Sequence, residues 1–427
     1  MTFHDVQGLA LSGATAQALD PFEQANHELR CLIGDPLASA QRAIELAPQM
    51  TLAHALVGWL NLLGTEPAGI AAAREALQAA RALPANEREA MHLQAIGQLV
   101  DGQWHAAGRT LEDLSIRWPH DTLALQAGHQ IDFFTGSTRM LRDRIARALP
   151  AWQDEGRPAR HAVLGMMAFG LEETADYARA ERYGRRAVEL ERRDGWGWHA
   201  VTHVMEMQQR RADGIAWLRS DIGAWSDQSF FAVHNAWHLG LFHLGMDQID
   251  ETLALTDERI LGGESPVVLD MIDASAMLWR LHLRGIDIGN RWEALADRWA
   301  PWADAGNYAF NDMHAMMAFA NTGRDALVQQ VLAAQQQALQ QPGNNNDNAT
   351  IFLREVGADA TKAVLAFVQG RHADCVALLR PIRNRANRFG GSHAQRDLID
   401  LTLIAAAERD GQKALADALR NERLPIY

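Results

Sequence analysis

Ala43-Ile44-Glu45-Leu46-Ala47-Pro48 closes one helix-forming stretch, and Ala79-Ala80-Arg81-Ala82-Leu83-Pro84 closes another 36 residues later. Leu114 to Pro119 repeats the ending 35 residues further on, and Ala187-Val188-Glu189-Leu190 returns 144 residues after the first, four steps of 36. Proline cannot continue a helix, so the three Pro-ended stretches carry a stop signal. A fixed interval of this size marks a repeat architecture. Between the endings, Ala, Leu, Met, Gln, Glu and Arg recur at helical spacing, and sustained alternating Val/Ile/Thr runs are lacking. Glycines at 64, 102, 136, 245, 285, 323 and 370 supply the breaks. The chain therefore reads as all-α. A helical hairpin cannot bury its apolar face alone, so successive hairpins stack into one solenoid. With 427 residues at about 35–40 per hairpin, the solenoid holds roughly 10–11 hairpins. It replaces the three domains that length alone suggests and spans residues 1–427. Pro342-Gly343-Asn344-Asn345-Asn346-Asp347-Asn348 breaks a Gln-rich helix, which predicts an exposed Asn-rich loop over 340–349.

Composition narrows the function. Hydrophobic residues make up 48 %, ample for a core and too many for a disordered chain. A net charge of −13 excludes the basic footprint of a nucleic-acid binder and repels an anionic membrane surface. Two cysteines, Cys31 and Cys375, cannot build a disulfide framework or a cysteine-only zinc site. The opening Met1-Thr2-Phe3-His4-Asp5 lacks the basic segment of a secretory leader, and apolar runs fall short of a membrane span. The expected compartment is the cytoplasm, with neither nucleic acid nor membrane as partner. Phosphate-binding glycine loops and the G-x-S-x-G elbow are missing, which disfavours nucleotide chemistry and serine hydrolysis of the α/β type.

The small-residue, helix-pair, Pro-ended pattern resembles the tetratricopeptide repeat, most cleanly from Met167-Ala168 through Ala180, Gly184 and Ala187. A narrower resemblance runs through five segments. They are Gly8-Leu9-Ala10-Leu11-Ser12-Gly13, His199 through Met207, His234-Asn235-Ala236-Trp237-His238-Leu239, Asn311-Asp312-Met313-His314-Ala315-Met316-Met317, and Gly390-Gly391-Ser392-His393-Ala394-Gln395-Arg396-Asp397. In that order they resemble the tetratricopeptide repeat protein 38 family over nearly the whole chain. The resemblance implies a right-handed superhelical solenoid and supplies architecture rather than chemistry.

The histidines carry the chemistry. His199 and His203 are four apart, hence on one helix face, and so are His234 and His238. The two pairs are separated by 35 residues, one repeat, so four imidazoles form a two-by-two patch. Arg210 and Gly245, each seven residues beyond the second histidine of its pair, set that register. By the family resemblance these positions line the concave groove, with Glu206 one turn on. Running the register forward adds Asp273, Asp312, His314 and Asp359; His129, seven residues before Gly136, is an earlier equivalent. Asn235, Trp237, His393 and Arg396 complete the predicted surround. Ser392 can cap the last long helix, and Arg396 can clamp an anion there.

Three readings stay open. His199, His203, His234 and His238 can hold a divalent metal such as zinc, with a carboxylate orienting a histidine and metal-bound water as nucleophile. The same histidines with Asp312 can act as metal-free acids and bases, with Glu206, Asn235, Trp237, Asp273, His314, His393 and Arg396 binding substrate. Both describe a small-molecule enzyme of hydrolase type. The third reading is a non-catalytic scaffold that takes a peptide or partner protein in its groove. A homo-oligomer is compatible with all three. Most tryptophans, Trp217, Trp225, Trp279, Trp292, Trp299 and Trp302 among them, read as core between hairpins.

Overall fold

The computed structural model describes residues 2–263, 265–341 and 345–423. Among these residues the chain is helical apart from turns, an antiparallel ribbon pairing Phe3–His4 with Ala10–Leu11, and an isolated bridge from Ile33 to Ser229. The fold is an all-α array of helical hairpins. It divides into two compact units, Met1–Leu255 and Thr256–Tyr427.

One local device closes the hairpins. A single residue with positive φ follows the first helix: Thr65, Gly102, Gly136, Ala175, Gln209 and Asp247 in the first unit, Gly285, Gly323, Gly370 and Gly411 in the second. The next backbone N–H then reaches back to the carbonyl five residues earlier. Gln103 bonds Gln98, Asp176 bonds Leu171 and Arg210 bonds Met205, each at 2.8 Å. This is the Schellman closure, which satisfies helix-end carbonyls and reverses the chain in few residues. The predicted turn glycines at 102, 136, 285, 323 and 370 occupy that position. Gly64 and Gly245 do not: the left-handed residues there are Thr65 and Asp247, and Gly245 still belongs to the helix Ala232–Gly245.

Small residues let neighbouring helices approach. Tyr177–Leu190 packs on Gly195–Met207 through Gly184, Ala187 and Gly197. A Cβ on Gly184 would lie 2.7 Å from Val201 Cγ2. The first unit's core gathers Leu125, Trp152, Met166, Met167, Phe169, Trp196 and Val204. Trp225, Trp279 and Trp299 are fully buried, and Trp217 stacks on Trp198 at 4.2 Å, as core between hairpins should. Among the described residues no helix is long and apolar enough to cross a membrane.

Of the loop predicted over 340–349, residues 342–344 lie outside the described residues. Asn348 and Ala349 are buried and open the wide-turn helix Asn348–Gly357 instead of remaining in an exposed loop. Asn348 explains why: its Oδ1 accepts from the Ala309 N–H at 3.0 Å and its Nδ2 donates to the Gly306 carbonyl at 2.6 Å.

One tight helix crossing in the first unit is at Gly170. A Cβ there would sit 2.5 Å from both the Arg142 backbone nitrogen and the Leu141 carbonyl oxygen. Gly170→Ala is expected to lose about 1–3 kcal/mol of stability from overpacking, read as a lowered midpoint in thermal or urea unfolding. An unchanged midpoint would show that the crossing yields freely.

Candidate metal centre

His199 and His203 stand on the helix Gly195–Met207, and His234 and His238 on Ala232–Gly245. The first of these helices is pinned at its start, where Asp194 Oδ1 accepts from the Gly197 N–H at 2.7 Å. A carboxylate suits that position because it answers an orphan N–H and the positive end of the helix dipole. The rings do form the predicted patch. Ring centres are 4.4 Å apart for His199 and His203, 4.8 Å for His234 and His238, 4.8 Å for His199 and His234, and 4.5 Å for His203 and His238. His199 Nε2 and His234 Nε2 face each other at 3.0 Å. One nitrogen from each of the four lies within 4.8 Å of all the others.

The register that brings them together differs from the one read in the sequence. Gln209 and Asp247, the true turn residues, lie six residues after His203 and nine after His238. The second pair is therefore shifted by three residues relative to its turn. Three residues is nearly one helical turn, so the imidazoles keep the same face despite the shift.

The surroundings overturn the expectation of an open groove. His199 is 3 % exposed, and His203 and His238 are fully buried; only His234 is half-buried. Aromatic rings close the site: Phe169 at 5.1 Å from His199, Phe231 at 4.8 Å from His199, Trp196 at 5.8 Å, and Trp237 stacked on His234 at 5.4 Å. Burial, and then its three neighbouring imidazoles, hold His199 well below the ordinary imidazole range. It is thus neutral at physiological pH, the form a metal requires. His129, the earlier register equivalent, is also buried and pushed down to about 3 by burial and by Arg144.

The carboxylate beside the patch is not the predicted one. Glu172 Oε2 comes within 3.6 Å of His203 Nδ1, and Glu172, Glu173 and His203 form a second close group. Both glutamates are buried. Glu206, the predicted partner, is half-buried near its own helix end. Glu172 stands three residues before Ala175, as Glu206 stands three before Gln209. The register thus pointed to the right position, one repeat too late. Asn235 is buried, and among the described residues its amide has no hydrogen-bond partner.

Asp273, Asp312, His314, His393 and Arg396 all belong to the second unit. Asp273 is buried on Val268–Leu283. Asp312 is buried and accepts from Gln335 Nε2 at 2.9 Å, and burial pushes its carboxyl up to about 7. His314 pairs through Nδ1 with the Phe310 carbonyl at 2.8 Å, and burial pushes it down to about 4. Ser392 caps His393–Arg409 reciprocally with Gln395, as read from the sequence. His393 is half-buried in the first turn of that helix. The Arg396 guanidinium turns back to donate to the Gly391 carbonyl rather than pointing outward as an anion clamp.

No family model matches the chain. Among solved structures the chain is similar to the crystal structure of yeast Tom70, with 10 % identity over 93 % of this chain and 90 % of that one, at a TM-score of 0.42.

Asp312 predicts a pH dependence. Its folded pKa of about 7 lies above the ordinary 3.8. Between those values the unfolded chain ionises while the folded one holds its proton, so stability falls as pH rises through that window. The loss is on the order of 4 kcal/mol. Asp312→Asn should melt higher than the parent at pH 8, with the gap closing toward pH 4. An equal offset at both pH values would contradict the assignment.

Proposed function

We propose that this protein is a non-catalytic helical-repeat scaffold whose first unit is tied together by a divalent transition metal, zinc the best fit, at His199, His203, His234 and His238. The observation that carries this reading is the mutual approach of one nitrogen from each histidine to within 4.8 Å. A tetrahedral ion with metal–nitrogen bonds of 2.0–2.1 Å needs nitrogens about 3.3 Å apart. The 3.0 Å between His199 and His234 is close to that, and small ring rotations bring in the rest. Glu172 beside His203 Nδ1 supplies the carboxylate that orients a ligating imidazole and leaves Nε2 for the metal. A cation among the four rings gives their lone pairs one common acceptor.

The same geometry favours a structural over a hydrolytic role. A catalytic zinc keeps a position open for water, whereas four protein ligands fill the tetrahedron. The aromatic walls and the burial of three of the histidines also leave substrate little access. The hydrolase reading drawn from the sequence therefore has less support than the scaffold reading. In the latter a peptide or partner protein would be the ligand, held on the faces that stacked hairpins present. The metal joins two successive hairpins and stiffens the array that presents those faces.

Metal analysis of protein purified without chelator tests this directly. One equivalent of zinc per chain is expected at the four-histidine centre, and metal at a hundredfold over its Kd should add about 2.7 kcal/mol of stability. His203→Ala combined with His238→Ala should remove the share of that stabilisation that comes from this centre, and Glu172→Gln should weaken its affinity about 10–100-fold. Zinc that leaves the melting temperature unmoved in the parent protein would remove the proposal.

A further inference from the structure

A further group of metal-ligating residue types in the first unit shares no residue with the histidine patch. His27 and Cys31 are four apart on the helix Ala16–Cys31, and His161 is at the start of Arg160–Glu172. One ligand atom from each lies within 4.8 Å of the other two. Cys31 Sγ is 3.9 Å from both ring nitrogens of His27, and the rings of His27 and His161 meet edge to face at 6.3 Å. From these positions we infer that Cys31, His27 and His161 form a second cation site, selective for a thiophilic divalent ion of the zinc class.

An internal comparison within the fold points to a ligand. Asp121 and Asp194 are both helix N-caps, and each also takes a histidine from the preceding hairpin. Asp121 pairs with His92 Nε2 at 3.0 Å, and the other nitrogen of His92 receives the Trp59 indole N–H at 3.1 Å. That histidine is a closed structural link. Asp194 pairs with His161 Nδ1 at 2.7 Å, but the neighbours of His161 are a thiol and a second imidazole instead of an indole. The carboxylate fixes His161 with its proton on Nδ1, which leaves Nε2 as the donor to a cation. This is the carboxylate–histidine–metal arrangement.

The distances fit. Tetrahedral bonds of 2.3 Å to sulfur and 2.0–2.1 Å to nitrogen place S and N about 3.5 Å apart. The observed 3.9 Å needs only a turn of the His27 ring about its soft χ2 to aim one nitrogen inward. Three protein ligands leave a fourth position open, and His27 is half-buried. On binding, the Cys31 proton passes to solvent and the thiolate balances part of the cation's charge. Cys31 as a free nucleophile fits less well. It is fully buried at the negative end of its helix, and burial holds its thiol high.

Cobalt(II) distinguishes the two sites, because only a thiolate ligand gives the sulfur-to-cobalt charge-transfer band in the near ultraviolet. Full-length protein titrated with CoCl2 should show that band at saturation. His203→Ala combined with His238→Ala should keep it, as should Cys375→Ser, which changes the other of the two cysteines. Cys31→Ser should lose the band, and His161→Gln should weaken cobalt binding at this site at least tenfold. A band missing from the parent protein, or surviving in Cys31→Ser, overturns the inference. Loss of the band in the double histidine variant with its fold intact overturns it as a separate site.

Discussion

Most of the helical hairpins here turn on one residue held at positive φ, and the rest of the structure takes its register from those residues. The left-handed position reverses the chain, and its neighbour's N–H closes the last helical turn. Where glycine occupies it the cost is small; at Thr65, Ala175, Gln209 and Asp247 a side chain is carried into that region, which the surrounding packing must sustain. Once the reversals are fixed, the helices of successive hairpins pack side by side, and the packing selects which side chains meet.

That constraint explains what the sequence could and could not reveal. The all-α hairpin array was legible because proline endings and helical spacing act locally. The two histidine pairs were legible because a spacing of four is a property of one helix. The left-handed residues at Thr65 and Asp247 were hidden, since neither residue type signals positive φ as glycine does. Reading Gly245 as the turn placed the second pair three residues off, an error that happened to preserve the helix face. Glu172 was missed for a related reason. A carboxylate three residues before the turn recurs in successive hairpins, and only the packing of Arg160–Glu172 against Gly195–Met207 selects which one meets His203. Asn348 looked like loop composition, and its burial follows from two backbone bonds that no local pattern announces.

Burial decides the chemistry of the polar residues. An interior imidazole or carboxylate loses its hydration and must recover it from a neighbour. Some do so fully: against the upward push of burial, His92 and Arg88 hold the Asp121 carboxyl far below its usual range, and Arg144 grips Asp132 at 2.7 Å. Others, such as the four histidines, are placed among groups of their own kind.

Asp194 stands at the junction of these themes. One of its oxygens starts the helix that carries His199 and His203, and the other steers His161. Two structural roles therefore rest on one side chain. Removing that carboxylate would take away the helix cap and the imidazole's orientation together, so the start of one helix and the aim of a ring on another are set by a single group.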